Sequence, residues 1–108
     1  MTKVKLVRKN GKIHSLEADG HTGYGVEGED IVCAALSSII QTALLGLLQI
    51  AGIAVDYERK DEQGYLKFTL PDSLDAEQRR DADVILGTMW LGIMDLREGF
   101  SDFIEVEE

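Results

Sequence analysis

The fold turns on the reading of Gly20–Ala35, GHTGYGVEGEDIVCAA. This stretch lies between a strand-like segment and a helix-like one. Within it, Gly23-Tyr-Gly25-Val-Glu-Gly28 matches the G-x-G-x-x-G pattern of dinucleotide-binding loops. Read as such a loop, it predicts a doubly wound parallel sheet, with a pyrophosphate at the helix N-terminus and Asp56 near the ribose. Read otherwise, the same loop links His21 to Cys33, the one cysteine of the chain.

Local charge opposes the phosphate reading. Glu27, Glu29 and Asp30 crowd the place where an anion would settle. Asp30 is placed to cap the following helix, engaging the N–H groups that would otherwise hold phosphate. A chain of 108 residues is also too short for a full doubly wound sheet. The glycines are then expected to supply mobility or close backbone approach, and the nucleotide pattern is incidental.

Outward from this loop the pattern is that of an α+β domain. KVKLVR alternates and ends at Asn10-Gly11, a dipeptide suited to positive φ in a tight hairpin; KIHSLEAD returns to Gly20. A helix is expected from about Asp30 to Ile50, stopped by Gly52. IAVDYER and GYLKFTL form two further strands around KDEQG. In the second, Leu66, Phe68 and Leu70 face one way. Pro71, with Asp72, Ser73 or Asp75 as cap, should open a second helix reaching about Glu98 and ended by Gly99. DFIEVE is a last strand. The order ββαββαβ predicts a two-layer sandwich, a mixed sheet of about five strands with both helices on one side. Residues 1–108 are expected to form a single domain.

The bulk properties narrow the function classes. A net charge of −9 argues against general electrostatic binding to a nucleic-acid backbone. It suits a basic partner or simply a solvated acidic surface. One cysteine forms no internal disulfide, and MTKVKLVRKNGK carries no apolar leader, so a cytoplasmic location is expected. No metal site is expected, because a lone cysteine builds no thiolate cage and His14 and His21 lack helical ligand spacing. No cofactor is called for. The uncharged run Ile31–Val55 is long enough to suggest a membrane span. However, Ser37, Ser38, Gln41, Thr42 and Gln49 interrupt it, and its flanks are acidic. A buried helix running into a strand is the expectation. In the second helix VILGTMWLGIM is apolar nearly all round, more than one buried stripe needs, which points to a homodimer.

The thiol reading is chemically explicit. With Asp30 as cap, Cys33 falls in the first turn, where free N–H groups and the helix dipole favour thiolate. A nearby histidine can take the proton and return it to a leaving amine, and the same N–H groups can hold an oxyanion. Ser37, one turn on, faces the same side. Each residue also has an ordinary reading: Cys33 as a small core side chain, His21 as a strand end, Asp30 as a cap, Ser37 bonded to its own helix.

Gly20-His21, then Gly28-Glu29-Asp30-Ile31-Val32-Cys33-Ala34-Ala35, and Ser37 resemble the ribosomal-processing cysteine protease family, also called Prp or YsxB-like. The family pattern is Gly-His, a glycine-bearing loop, and Asp-x-Val-Cys-Ala with a serine four residues after the cysteine. Thr22 departs from it, since alanine commonly follows the histidine. The resemblance implies a dimeric α+β cysteine endopeptidase that removes a short N-terminal extension from a large-subunit ribosomal protein. His21 and Cys33 would be the dyad, Asp30 and Ser37 would support it, and the loop with Gly20, Gly23, Gly25 and Gly28 would be a flexible lid. The ribosomal protein's N-terminal peptide would be the substrate, with a basic body that an acidic enzyme attracts. No direct nucleic-acid or membrane partner is implied. The competing reading is a non-catalytic acidic dimeric interaction domain linked to ribosome assembly.

Overall fold

The computed structural model describes residues 1–20, 29–60 and 64–108. Two antiparallel strands come first, β1 (Thr2–Lys9) and β2 (Lys12–Asp19). Helix α1 (Glu29–Leu45) follows and widens into a π turn over Gly46–Ile50. Then come β3 (Asp56–Lys60), β4 (Tyr65–Thr69), α2 (Ala76–Gly99) and β5 (Ile104–Glu107). The five strands form one mixed sheet in the order β3-β4-β2-β1-β5, in which only the β1–β5 pair is parallel. This is the expected α+β arrangement of two helices on a five-stranded sheet.

Strand alternation explains why both helices share one face. Val4 pairs with Ala18 and Val106, Leu6 with Leu16, Leu16 with Phe68, and Ala18 with Leu66. These residues line one side of the sheet and are buried or partly buried there. The helices cover that side with Val32, Leu36, Ile40 and Leu47 from the first helical stretch and Ala82, Leu86, Met89 and Ile93 from α2. The opposite side carries a row of alternating sign, Glu107–Lys5–Glu17–Lys67–Glu58, one residue per strand. Opposite charges on neighbouring strands suit a solvated face.

The β1–β2 hairpin turns at Asn10 (φ 56°) and Gly11 (φ 78°), as Asn-Gly predicts. The register shifts where Val7 meets Ser15 and Arg8 meets Ile13, leaving His14 as the extra residue of a bulge. Strict alternation would have turned Ile13 outward with Glu17; the bulge returns it to the core. The His14 carbonyl instead accepts from the Leu70 N–H at 2.9 Å.

The boundaries refine the sequence expectation. The third strand begins at Asp56, not Ile53: the Val55 N–H donates to the Ile53 carbonyl at 2.9 Å, a tight turn that buries both side chains before pairing starts. Pro71 does not open α2. Asp75 caps it, accepting from the Gln78 N–H at 2.8 Å while Gln78 Oε1 accepts from the Asp75 N–H at 3.2 Å, a complete capping box. Gly99 ends α2 as expected, without a left-handed turn. It is the last helical residue, and Phe100 is the cap. Finally, Asp30 lies within α1, whose described residues begin at Glu29, rather than at a cap position.

The helical run Ile31–Ile50 is long and apolar enough, by composition alone, to span a membrane. Its stripe Val32, Leu36, Ile40, Ala43, Leu44 and Leu47 is packed in the core, and Gly52 (φ 65°) follows the turn that ends it. The two helices approach closely at glycines: Ile85 packs over Gly46, and Ile39 over Gly92.

Candidate active site

A cleft of about 360 Å³ opens between the N-terminal half of α1 and the inner face of the sheet. Its helical wall is Cys33, Ala34, Leu36, Ser37, Ile40 and Gln41; Thr2, Ala18, Arg59 and Leu66 are among the sheet residues opposite. The helical period produces that wall, since positions 33, 37 and 41 lie one above another on α1. Cys33 is half-buried at the cleft wall. Ser37 is beside it, as expected, and its hydroxyl accepts from Gln41 Nε2 at 2.5 Å. Cys33 is therefore partly accessible at the cleft wall rather than fully enclosed in the core.

The thiol finds a polar partner on the sheet. Thr2 Oγ1 lies 2.9 Å from Cys33 Sγ, and Thr2 is only 5% exposed. Thr2 is held there by the β1–β5 pairing: it is opposite Ile104, and its N–H donates to the Phe103 carbonyl at 2.8 Å. Gly20, just past β2, packs against the same strand start. A Cβ on Gly20 would collide with the Met1 carbonyl oxygen and meet Thr2 Cα at 3.0 Å, and its φ is 133°. Gly20 is therefore a close-approach residue of the β1–β2 pair rather than a free hinge. It also brings the chain beside Thr2 just before His21 in sequence.

His21, Gly23, Gly25 and Gly28, and the side chain of Asp30, lie outside the described residues. Among the described residues no group of three or more His, Cys, Asp or Glu side chains could hold a metal ion. Tyr65 borders the cleft but alternates to the outer side of the sheet, where its Oη donates to Glu17 Oε2 at 2.9 Å. Burial first, then that hydrogen bond and the charge of Glu17, push the Tyr65 phenol up to about 12. It remains a protonated donor throughout the physiological range.

Sequence reasoning missed Thr2, Gln41 and Arg59. A strand read from Lys3 left Thr2 outside, although its alternation with Val4 and Leu6 carries the signal. Gln41 completes the spacing begun by Cys33 and Ser37. Arg59 pairs with Leu66 and so faces inward, which the residues of an exposed strand do not reveal.

A helix-borne thiol in an apolar cleft, over a mixed sheet with both helices on one face, has the layout of a cysteine hydrolase. The chain belongs to the cysteine protease Prp family, whose model matches residues 1–105. The ribosomal processing cysteine protease Prp of Bacillus subtilis is 27% identical over 107 residues, covering 98% of this chain and 96% of the relative. That of Staphylococcus aureus is 26% identical over 100 residues, covering 93% and 91%. Among solved structures, a Streptococcus mutans protein superposes with a TM-score of 0.87 at 28% identity, covering 99% of this chain and 92% of the other. The S. aureus protease in complex with a covalently linked product peptide gives 0.81 at 26% identity, covering 99% and 98%.

Proposed function

We propose that this chain is the cytoplasmic endopeptidase that removes a short N-terminal extension from a large-subunit ribosomal protein, with Cys33 as nucleophile and His21 as general acid and base. The observation that carries the reading is Cys33 Sγ at the wall of the cleft between α1 and the sheet. An extended peptide entering that cleft meets Leu36, Ile40 and Leu66 as apolar contacts, with Gln41 and Arg59 as polar ones. Such a lining favours apolar residues in the bound part of the substrate. The covalently linked product peptide of the S. aureus relative supports a covalent route, because such a link needs a nucleophile on the protease.

In the proposed sequence, His21 takes the thiol proton and Cys33 sulfur attacks the scissile carbonyl carbon. The tetrahedral adduct collapses as His21 returns the proton to the departing amine, leaving a thioester. Water, deprotonated by His21, then releases the carboxylate and restores the thiol. Gly20, pinned beside Thr2, is one peptide bond from His21, about 3.8 Å between Cα atoms. Asp30 and Ser37 are assigned to support the pair.

The test is cleavage of a peptide copying the organism's own ribosomal-protein N-terminus, read by mass spectrometry beside Cys33→Ala and His21→Ala. One new amino terminus, formed by the parent protein and lost at least about a thousandfold in both variants, is expected. Absence of cleavage, together with slow alkylation of Cys33, would leave the acidic interaction domain as the better description.

A further inference from the structure

Thr2 brings a polar side-chain atom of the sheet to the thiol. Its place is unusual for a hydroxyl. On β1 it continues the inward series of Val4 and Leu6, and its cross-strand partner Ile104 is apolar and buried. A threonine in such surroundings loses water and needs a partner. The partner present is Cys33 Sγ at 2.9 Å. The backbone on both sides is fixed, by the Thr2 N–H bond to Phe103 and by the close approach of Gly20. The hydroxyl therefore reaches the sulfur from a rigid strand rather than a loop.

We propose that Thr2 is a positioning residue for the nucleophile: its hydroxyl donates to the Cys33 sulfur, directs it toward the cleft and favours its charged form. This deepens the protease reading and rests on it. A donor held by the sheet is matched to a thiolate, which accepts and cannot donate, and hydrogen bonds to charged groups are the stronger ones. Among the described cleft residues the other ionisable side chains are Arg59 and Tyr65. Tyr65 is engaged with Glu17, and Arg59 stands on β3, the edge strand separated from β1 by β4 and β2. Among the described cleft residues, the Thr2 hydroxyl is the side-chain group within hydrogen-bond distance of the sulfur.

The experiment compares the parent protein with Thr2→Val, which keeps the shape and removes the hydroxyl, and Thr2→Ser, which keeps the hydroxyl. The rate of Cys33 alkylation by iodoacetamide is followed from pH 5 to 10, with thermal melting to confirm folding. Thr2→Val is expected to move the midpoint of the profile upward by about one pH unit, a tenfold loss of thiolate below the midpoint, and Thr2→Ser to restore it. An unchanged midpoint in a folded Thr2→Val protein overturns the proposal, as does a downward shift, which would make the thiol the donor. If Thr2→Val melts early, Thr2→Ser carries the decision: a profile displaced as far as that of valine, despite the retained hydroxyl, overturns it too. Peptide cleavage is measured in parallel. Absence of cleavage by the parent with the midpoint shift intact refutes the protease reading and leaves the Thr2–Cys33 interaction standing.

Discussion

At the residue scale, two glycines with positive φ separate conformational need from close approach. A Cβ added at Gly52 (φ 65°) would meet nothing within 4 Å, whereas one at Gly20 (φ 133°) would run into the Met1 carbonyl oxygen. Gly52→Ala should therefore cost only the left-handed penalty, about 1 kcal/mol. Gly20→Ala adds a backbone collision in a region that side chains avoid and should cost about 3 kcal/mol. Urea unfolding of the two variants checks this; equal losses would mean that the strands do not approach so closely. The same pair of glycines marks the reach of the sequence. Gly20-His21 was readable as a motif, but not that the glycine is fixed by β1, because no local pattern reports a contact with residues near the other end of the hairpin. Thr2 escaped for a related reason: its partner is distant in sequence, and only the sheet brings it to Cys33.

At the element scale, α2 is tied to the sheet at its N-terminal half. Asp83 Oδ1 accepts from Arg79 Nε at 3.0 Å and Nη2 at 2.6 Å, and Oδ2 accepts from Lys12 Nζ at 2.8 Å, linking the helix to β2. Partial burial alone would raise this carboxyl, but the hydrogen bonds from Lys12 and Arg79, with their charges, more than offset it and hold the folded value below 3.8. A depressed folded value means that the contribution is fully present above about pH 4 and is lost as pH falls through the folded value. The groups remain partly exposed, so the contribution is about 1 kcal/mol at most. Asp83→Asn should lower stability at pH 6 by about that amount and narrow the gap between parent and variant at pH 2.5. Denaturant melts at both values test it, and a gap that widens with acid would refute it. The helices themselves were legible from apolar spacing and the capping residues. Their boundaries moved where a tertiary contact outweighed local preference, as at Val55, where burial of Ile53 and Val55 delays the strand.

At the scale of the whole molecule, the outer surface of the helical layer is more apolar than folding of one chain requires. On α2, Val84 and Leu91 are 66% and 73% exposed, at i and i+7, with Thr88 between them. On the first helical stretch, Ile31, Leu45 and Ile50 are exposed as well. The sheet's other face is dominated by charge: a row of alternating sign crosses it, and Val7 is the exposed large aliphatic beside that row. The excess apolar surface read from VILGTMWLGIM thus has a definite location: it is the back of the helices, away from the sheet. A second copy of the chain is the partner we propose for it, because a two-fold axis needs only one self-complementary patch. Residues 84, 88 and 91 would meet their own symmetry mates near that axis. Leu91→Glu would place two carboxylates against each other in a water-poor contact, while leaving α2's buried stripe untouched. The expected result in analytical ultracentrifugation is a dimer for the parent and a monomer for Leu91→Glu, with a weakening of at least about a hundredfold. The cleft faces the sheet, so the monomeric variant should keep its Cys33 alkylation profile. A parent that sediments as a monomer at concentrations near about 100 μM would exclude this helical face as a stable self-interface.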